Sequence, residues 1–121
     1  MEADFGRWED LSFAEIERAD PALVKELSAF EPTFAFPGGE RLSDFVRRVE
    51  RVATRIAAAQ EERVVVFTHG GIIRLLICSW LELSPKNYLK FEVRPTGVAK
   101  ILIDGNRGVL LGLDNSVAET L

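Results

Sequence analysis

His69 is the residue whose type and neighbours best suit catalysis or anion binding. It is the only histidine of the 121 residues, and Gly70 and Gly71 follow it. Residues 64–67 form the apolar run Val-Val-Val-Phe, which predicts a strand covered on both faces of a parallel sheet. Residues 72–83 are almost entirely apolar and predict a buried helix. In open α/β sheets, ligands bind between such a strand end and the following helix N-terminus, so we predict an anion site there.

A structural interpretation of His69 competes with this functional one. A single histidine at the end of a strand is often a turn residue whose hydrogen bonds are satisfied within the protein. The two glycines favour the functional interpretation, because they let a ligand or another backbone segment approach closely.

The remaining elements must position this turn. Residues 41–60 carry apolar side chains at helical spacing, and residues 11–30 predict two helices, the second beginning at Asp20-Pro21. Residues 98–104 and 109–113 predict short strands joined by a Gly105-Asn106 turn. A strand, a helix and a further strand from residue 64 to residue 103 would form a β-α-β unit. The expected class is therefore α/β, with the helices covering the sheet.

Composition narrows the function classes. The length suits one domain, and the net charge of −4 argues against nucleic acid or an anionic membrane surface as partner. Cys78 is the only cysteine and lies in an apolar run, so we predict a buried hydrophobic residue. One cysteine and one histidine are too few for a zinc site, and we predict no metal. Without a signal-peptide pattern or a membrane span, the expected location is the cytoplasm.

Three segments resemble the histidine phosphatase superfamily, whose fold is phosphoglycerate-mutase-like. Residues 67–74 (Phe-Thr-His-Gly-Gly-Ile-Ile-Arg) are similar to its second catalytic-histidine motif. Residues 2–9, with Glu2 four positions before Gly6, resemble the segment that carries an acid. Residues 37–41, together with Asp44 and Arg48, resemble the segment that opens the long helix. The Phe-Gly-x-Trp-Glu form is most similar to the α-ribazole phosphatase and broad small-phosphatase branches.

The resemblance implies a three-layer sheet with helices on both faces and a reaction through phosphohistidine, with no cofactor. His69 corresponds to the second histidine, which stabilises the transferring phosphoryl group with the Gly70-Gly71 turn. Glu2 corresponds to the acid that protonates the leaving oxygen, and Glu40 to a supporting acidic position. Nothing in the sequence corresponds to the nucleophilic histidine of the arginine-histidine-glycine motif. The expectation is therefore a single partial domain over residues 1–121, with its N-terminal part absent and without activity of its own.

Two departures from the family pattern occur. Asp10 stands where the family commonly has glycine, and Thr96-Gly97 precedes a strand where asparagine is usual.

Three functional hypotheses remain. The first is a phosphatase or mutase domain seen in part, acting on a small phosphorylated metabolite or binding inorganic phosphate. The second is a pseudophosphatase that binds an anion or a protein partner without chemistry. The third, an unrelated hydrolase, is disfavoured because no Gly-x-Ser-x-Gly motif occurs. Under the first, residues 64–67 would present an open apolar strand edge, which favours a homodimer.

Overall fold

The computed structural model describes residues 2–105 and 107–116. The described α-helices are α1 (Phe13–Ala19), α2 (Pro21–Ser28), α3 (Leu42–Ala57) and α4 (Gly70–Trp80), and the described strands are β1 (Val98–Asp104) and β2 (Arg107–Asp114). Short 3-10 helices span Gly6–Trp8 and Pro85–Lys90. The chain divides into two compact units: residues 3–47, and Glu2 together with the residues from Arg48 onward.

In the unit of residues 3–47, α1 and α2 begin as their sequences require. Ser12 and Glu15 form a capping box at the start of α1, which satisfies backbone N–H groups of its first turn. Asp20 precedes Pro21 as predicted, but its side chain does not cap α2. Its carboxylate instead accepts a hydrogen bond from Trp8 Nε1 at 2.8 Å. The helix start is therefore confirmed, while the predicted capping bond is replaced by a tertiary one.

Two loops of this unit pack with their backbones in contact. Arg7 donates its N–H to the Pro37 carbonyl at 2.7 Å, and Glu40 donates to the Asp4 carbonyl at 3.1 Å. Beneath them, the rings of Phe34 and Phe36 lie edge to face with centroids 5.1 Å apart, and Trp8 is buried beside both. This aromatic cluster supplies the apolar burial that the loops themselves lack.

Helix α3 lies within the predicted range 41–60. Its buried side chains are spaced three or four residues apart along one face: Leu42, Phe45, Val49 and Ala53. Leu42, Phe45 and Val49 belong to the apolar stripe that the sequence predicts for this helix, whereas Val46, Val52 and Ile56 of that stripe are only half-buried.

In the other unit, α4 is the central element. Ile72, Leu75, Leu76, Ile77, Cys78 and Trp80 are all buried. Trp80 Nε1 donates to the Ala53 carbonyl at 3.2 Å, which ties α4 to the last turns of α3. Cys78 is 1% exposed, as a small hydrophobic residue would be.

The described sheet is an antiparallel hairpin of β1 and β2, with a register shift between Lys100 and Ile101. Gly105 adopts φ +65° at the turn, and Asn106, predicted to share it, lies outside the described residues. One face of the hairpin packs on α4, since a Cβ atom on Gly108 would lie 2.9 Å from Trp80 Cβ. The two strands are therefore confirmed, within a mixed helix-and-sheet fold.

The predicted strand at residues 64–67, and with it the β-α-β unit, is not formed. Within the described residues this segment pairs with no strand. Val64 is 48% exposed and Phe67 is 95% exposed, although the run was predicted to be covered on both faces. A β-branched run favours extended backbone, but a strand also requires partner hydrogen bonds that its own sequence cannot supply.

Among the described residues, none of the helices is long and apolar enough to cross a membrane.

Candidate active site

The turn around His69 opens α4. His69 is the N-cap residue, with extended backbone at φ −106° and ψ 158°, and its carbonyl accepts from the Ile73 N–H at 2.9 Å. Gly70 and Gly71 were predicted in a turn before a helix at residues 72–83, but they are the first two helical residues. Their backbone N–H groups therefore belong to the orphan donors of a helix N-terminus. The exposed His69 side chain makes no capping bond.

The carboxylate of Glu2 lies against this first turn. A Cβ atom on Gly71 would be 3.1 Å from Glu2 Oε1 and 3.5 Å from Oε2. The Glu2 carbonyl accepts from Arg48 Nη2 at 3.3 Å, so α3 also holds this residue. A carboxylate is favoured at a helix N-terminus by the dipole of the helix. The structure thus brings together Glu2 and the His69–Gly71 turn, which are 67 to 69 positions apart in the chain.

Glu40, the predicted supporting acid, acts within the unit of residues 3–47. Its Oε1 accepts a hydrogen bond from the Asp4 N–H at 2.8 Å, in the reverse direction of the Glu40 N–H bond to the Asp4 carbonyl. Glu40 therefore orders the segment that follows Glu2.

Two arginines, Arg48 and Arg74, make hydrogen bonds near His69 and Glu2 that the sequence motifs did not predict. Arg48 bonds the Glu2 carbonyl, and Arg74 bonds the carbonyls of Phe91 and Val93. A signal for Arg74 was present in the sequence, because a charged residue in an otherwise apolar helix needs polar partners when it is covered. Its partners are backbone atoms, so no side-chain pattern identifies them.

Burial shifts two titratable groups of this unit. Burial raises the pKa of the Tyr88 phenol, and the nearby Arg74 guanidinium opposes that rise. Burial also raises the pKa of the Cys78 thiol, which keeps this cysteine protonated and poorly nucleophilic. Within the described residues, no group of three histidine, cysteine, aspartate or glutamate side chains is arranged to hold a metal ion.

Comparison with known proteins bears on this arrangement. Two relatives are each 34% identical to this chain over 114 residues: a bifunctional protein of Mycobacterium tuberculosis (Rv2228c) and an uncharacterized protein of Mycobacterium bovis (Mb2253c). The alignments cover 92% of this chain and 31% of each relative, so the chain spans about a third of the length of the curated relatives it matches. The model of the histidine phosphatase superfamily (branch 1) matches residues 1–116. Because this family model matches residues 1–116, the chain belongs to the histidine phosphatase superfamily.

Proposed function

We propose that this chain forms part of a phosphomonoester phosphatase, or phosphoglycerate-mutase-type enzyme, that works through a phosphohistidine. One observation carries the proposal: the Glu2 carboxylate lies against Gly71 in the first turn of α4, directly after His69, the N-cap residue. A carboxyl group, an imidazole and the N–H groups of a helix end suit the leaving oxygen and phosphoryl oxygens of phosphoryl transfer. Membership of the superfamily supports the same reaction class.

Each group has a distinct role in the proposed reaction. A histidine attacks phosphorus, and the bond from phosphorus to the leaving oxygen breaks while Glu2 gives that oxygen a proton. His69 and the N–H groups of Gly70 and Gly71 stabilise the phosphoryl oxygens as their charge grows. Water, or a second substrate hydroxyl, then takes the phosphoryl group from the histidine. Glu40 has the supporting acidic role that the family resemblance implies, and its carboxylate accepts a hydrogen bond from the Asp4 N–H within the unit of residues 3–47.

The attacking histidine is assigned to a residue outside positions 1–121. His69 is the only histidine of the sequence, and the reaction uses two. In this proposal residues 1–121 form one partial domain of the three-layer phosphoglycerate-mutase-like fold and are inactive alone. The substrate is a small phosphorylated metabolite in the cytoplasm, and no cofactor takes part. The Phe5-to-Glu9 segment favours the α-ribazole phosphatase branch.

A pseudophosphatase that binds a partner is the second candidate. The observation that favours it is the exposed His69 side chain at the N-terminus of α4, which suits the binding of an anion without chemistry. The exposed apolar run of residues 64–67, which ends in Phe67 at 95% exposure, belongs instead to the first proposal, that of a partial domain. An exposed apolar run that pairs with no strand among the described residues is a surface for pairing with another chain. A homodimer through this edge is the partner we propose for the isolated chain.

Hydrolysis of p-nitrophenyl phosphate tests the first proposal. We expect no turnover by the folded 121-residue chain, and turnover with an alkali-stable phosphohistidine in the protein purified from its natural source. His69→Ala in the isolated chain is the control. Turnover by the isolated chain that disappears in His69→Ala would show that His69 itself attacks phosphorus, which contradicts the assignment of the nucleophile outside the chain.

Phosphate binding tests the site separately from turnover. Because the chain has one histidine, its imidazole gives a single resolved pair of NMR signals that report on His69 alone. We expect inorganic phosphate to shift these signals to saturation, and Glu2→Gln to strengthen binding by removing a competing negative charge. Absence of any shift would remove His69 from the phosphate site.

A further inference from the structure

Arg74 is the charged residue of α4, and its guanidinium group is bound to a loop. Nε donates to the Phe91 carbonyl at 2.9 Å, and Nη2 donates to the Val93 carbonyl at 3.1 Å. Both bonds are partly buried, and the side chain of Val93 is 6% exposed. The planar fork of the guanidinium thus joins one turn of the helix to two carbonyls two positions apart.

The loop of residues 91–97 is also bound by the side chain of Asn115. Oδ1 of Asn115 accepts from the Arg94 N–H at 2.9 Å, and Nδ2 donates to the Glu92 carbonyl at 2.9 Å. Gly97 donates its N–H to the Arg94 carbonyl at 2.8 Å, which closes a turn. Backbone groups of residues 91–97 are therefore bound from α4, from the end of β2 and from within the loop.

This loop meets the first turn of α4. A Cβ atom on Gly70 would lie 3.4 Å from the Val93 carbonyl oxygen and 3.6 Å from Arg74 Nη1. The space beside Gly70 is thus filled by the loop and by the arginine that binds it. If residues 91–93 moved, the Val93 carbonyl would no longer lie beside the backbone of Gly70, the residue that follows His69.

We propose that Arg74 is a positioning residue that fastens residues 91–93 beside Gly70 and so fixes the His69–Gly71 turn for phosphate. The phosphate part of this inference rests on the proposed function. Lysine cannot replace arginine here, because an ammonium group on a single stem cannot reach both carbonyls in one plane. The loop therefore forms a fixed wall of the site.

NMR spectroscopy of the 121-residue chain tests the role of Arg74 with two variants and a matched control. Arg74→Gln removes the charge and the fork, while Arg74→Lys keeps the charge and remains informative if the first variant does not fold. Arg107→Gln removes the same charge from an exposed side chain that pairs only loosely with Glu82, at 3.8 Å. The readouts are hydrogen exchange at the Ile73, Arg94 and Gly97 amides and the His69 signals during titration with inorganic phosphate.

We expect both Arg74 variants to exchange these amides at least about tenfold faster than wild type. We also expect them to bind phosphate about tenfold more weakly, with Arg107→Gln unchanged in both readouts. Wild-type exchange in the Arg74 variants would overturn the proposal. Faster exchange with wild-type phosphate affinity would also overturn it, because Arg74 would then be structural only. If wild type itself gives no phosphate shift, the proposed function fails, while the exchange rates still decide whether Arg74 holds the loop.

Discussion

The carboxylate of Glu2 lies over Gly71, with Oε1 3.1 Å from the position that a Cβ atom on Gly71 would take. A glycine in the first turn leaves room for this approach, and the dipole of α4 favours the negative charge. The contact places an acid at the helix end where a phosphoryl group would bind in the proposed reaction. A substitution at residue 71 should therefore affect both the stability of the protein and its binding of anions.

Gly71→Ala should separate these two effects. The added Cβ displaces only the end of a flexible side chain, and alanine favours the helix by up to about 1 kcal/mol, so we expect a net stability change below about 1 kcal/mol. Phosphate binding, read from the His69 signals, should weaken severalfold because the methyl group enters the site. Gly112→Ala is the control, since nothing lies within 4 Å of that position. A large loss of stability in Gly71→Ala alone would mean that Glu2 cannot move aside.

Gly39→Ala should destabilise the unit of residues 3–47 strongly. A Cβ atom at Gly39 would overlap the Asp4 carbonyl oxygen at 2.2 Å, and a backbone atom cannot yield as a side chain does. We expect a cost of about 2–3 kcal/mol in the free energy of unfolding, measured by urea titration. The neighbouring Gly38→Ala meets only Arg7 Cγ at 3.7 Å, although its φ of +70° is strained for alanine. Its cost should be smaller, about 1 kcal/mol, and equal costs would contradict the overlap.

Thr96→Asn should stabilise the protein. Thr96 has φ +67°, a left-handed conformation that is unfavourable for a β-branched residue, and asparagine tolerates it better. We expect a gain of about 0.5–1 kcal/mol, measured as a rise in the thermal midpoint. Thr33→Asn is the control, because Thr33 is exposed and its φ is not positive. A rise of the same size in both variants would remove the backbone explanation.

The sequence departures at Asp10 and Thr96 acquire a physical meaning from these backbone angles. Asp10, where the family resemblance implies glycine, has φ +63°, and Thr96 of the Thr96-Gly97 pair has φ +67°. Glycine and asparagine are the residues that adopt this conformation most readily. Asp10 and Thr96 therefore occupy a backbone conformation that glycine or asparagine would adopt at lower cost.

Stability should fall as the pH rises through the alkaline range. Burial raises the pKa of Cys78 above its ordinary value of 9.0, so the folded state holds this proton more tightly than the unfolded state. The resulting stabilisation is complete below about pH 9 and is lost as the pH rises through the folded-state pKa. Urea titrations of wild type and Cys78→Ala between pH 7 and pH 10 check this. The wild-type advantage should shrink above about pH 9, and a constant difference would count against a buried protonated thiol.

The helices and the hairpin could be predicted because their signals are local. The apolar stripe of α3 and the turn at Gly105 lie within a few residues of the structure that they specify. The capping box of Ser12 and Glu15 is an equally local signal, but it does not show in the spacing of apolar residues from which α1 was predicted. Local patterns therefore accounted for the existence of these elements better than for their boundaries. Helix α4 begins two residues and ends three residues before the predicted range of 72–83, and β2 begins two residues before the predicted residue 109.

The contacts of the candidate site depend on distant residues and were predicted only in part. The family resemblance indicated that Glu2 and His69 belong to one site. The hydrogen bonds of Arg74 could not be predicted in this way, because they end on backbone carbonyls, which every residue has. For residues 64–67, the β-branched composition specified extended backbone but not a partner. Pairing is a property of two segments, so the conformation of one cannot determine it.

Val65→Lys should reduce self-association of the chain. Val65 is 77% exposed in the unpaired run of residues 64–67, and a charge in the middle of an apolar edge opposes strand pairing between copies. We expect light scattering to give a larger particle for wild type than for Val65→Lys at the same concentration. Leu111→Lys, on the hairpin at 54% exposure, is the control for removing any exposed apolar side chain. A wild-type monomer would contradict the proposed homodimer, and dissociation by Leu111→Lys alone would move the interface to the hairpin.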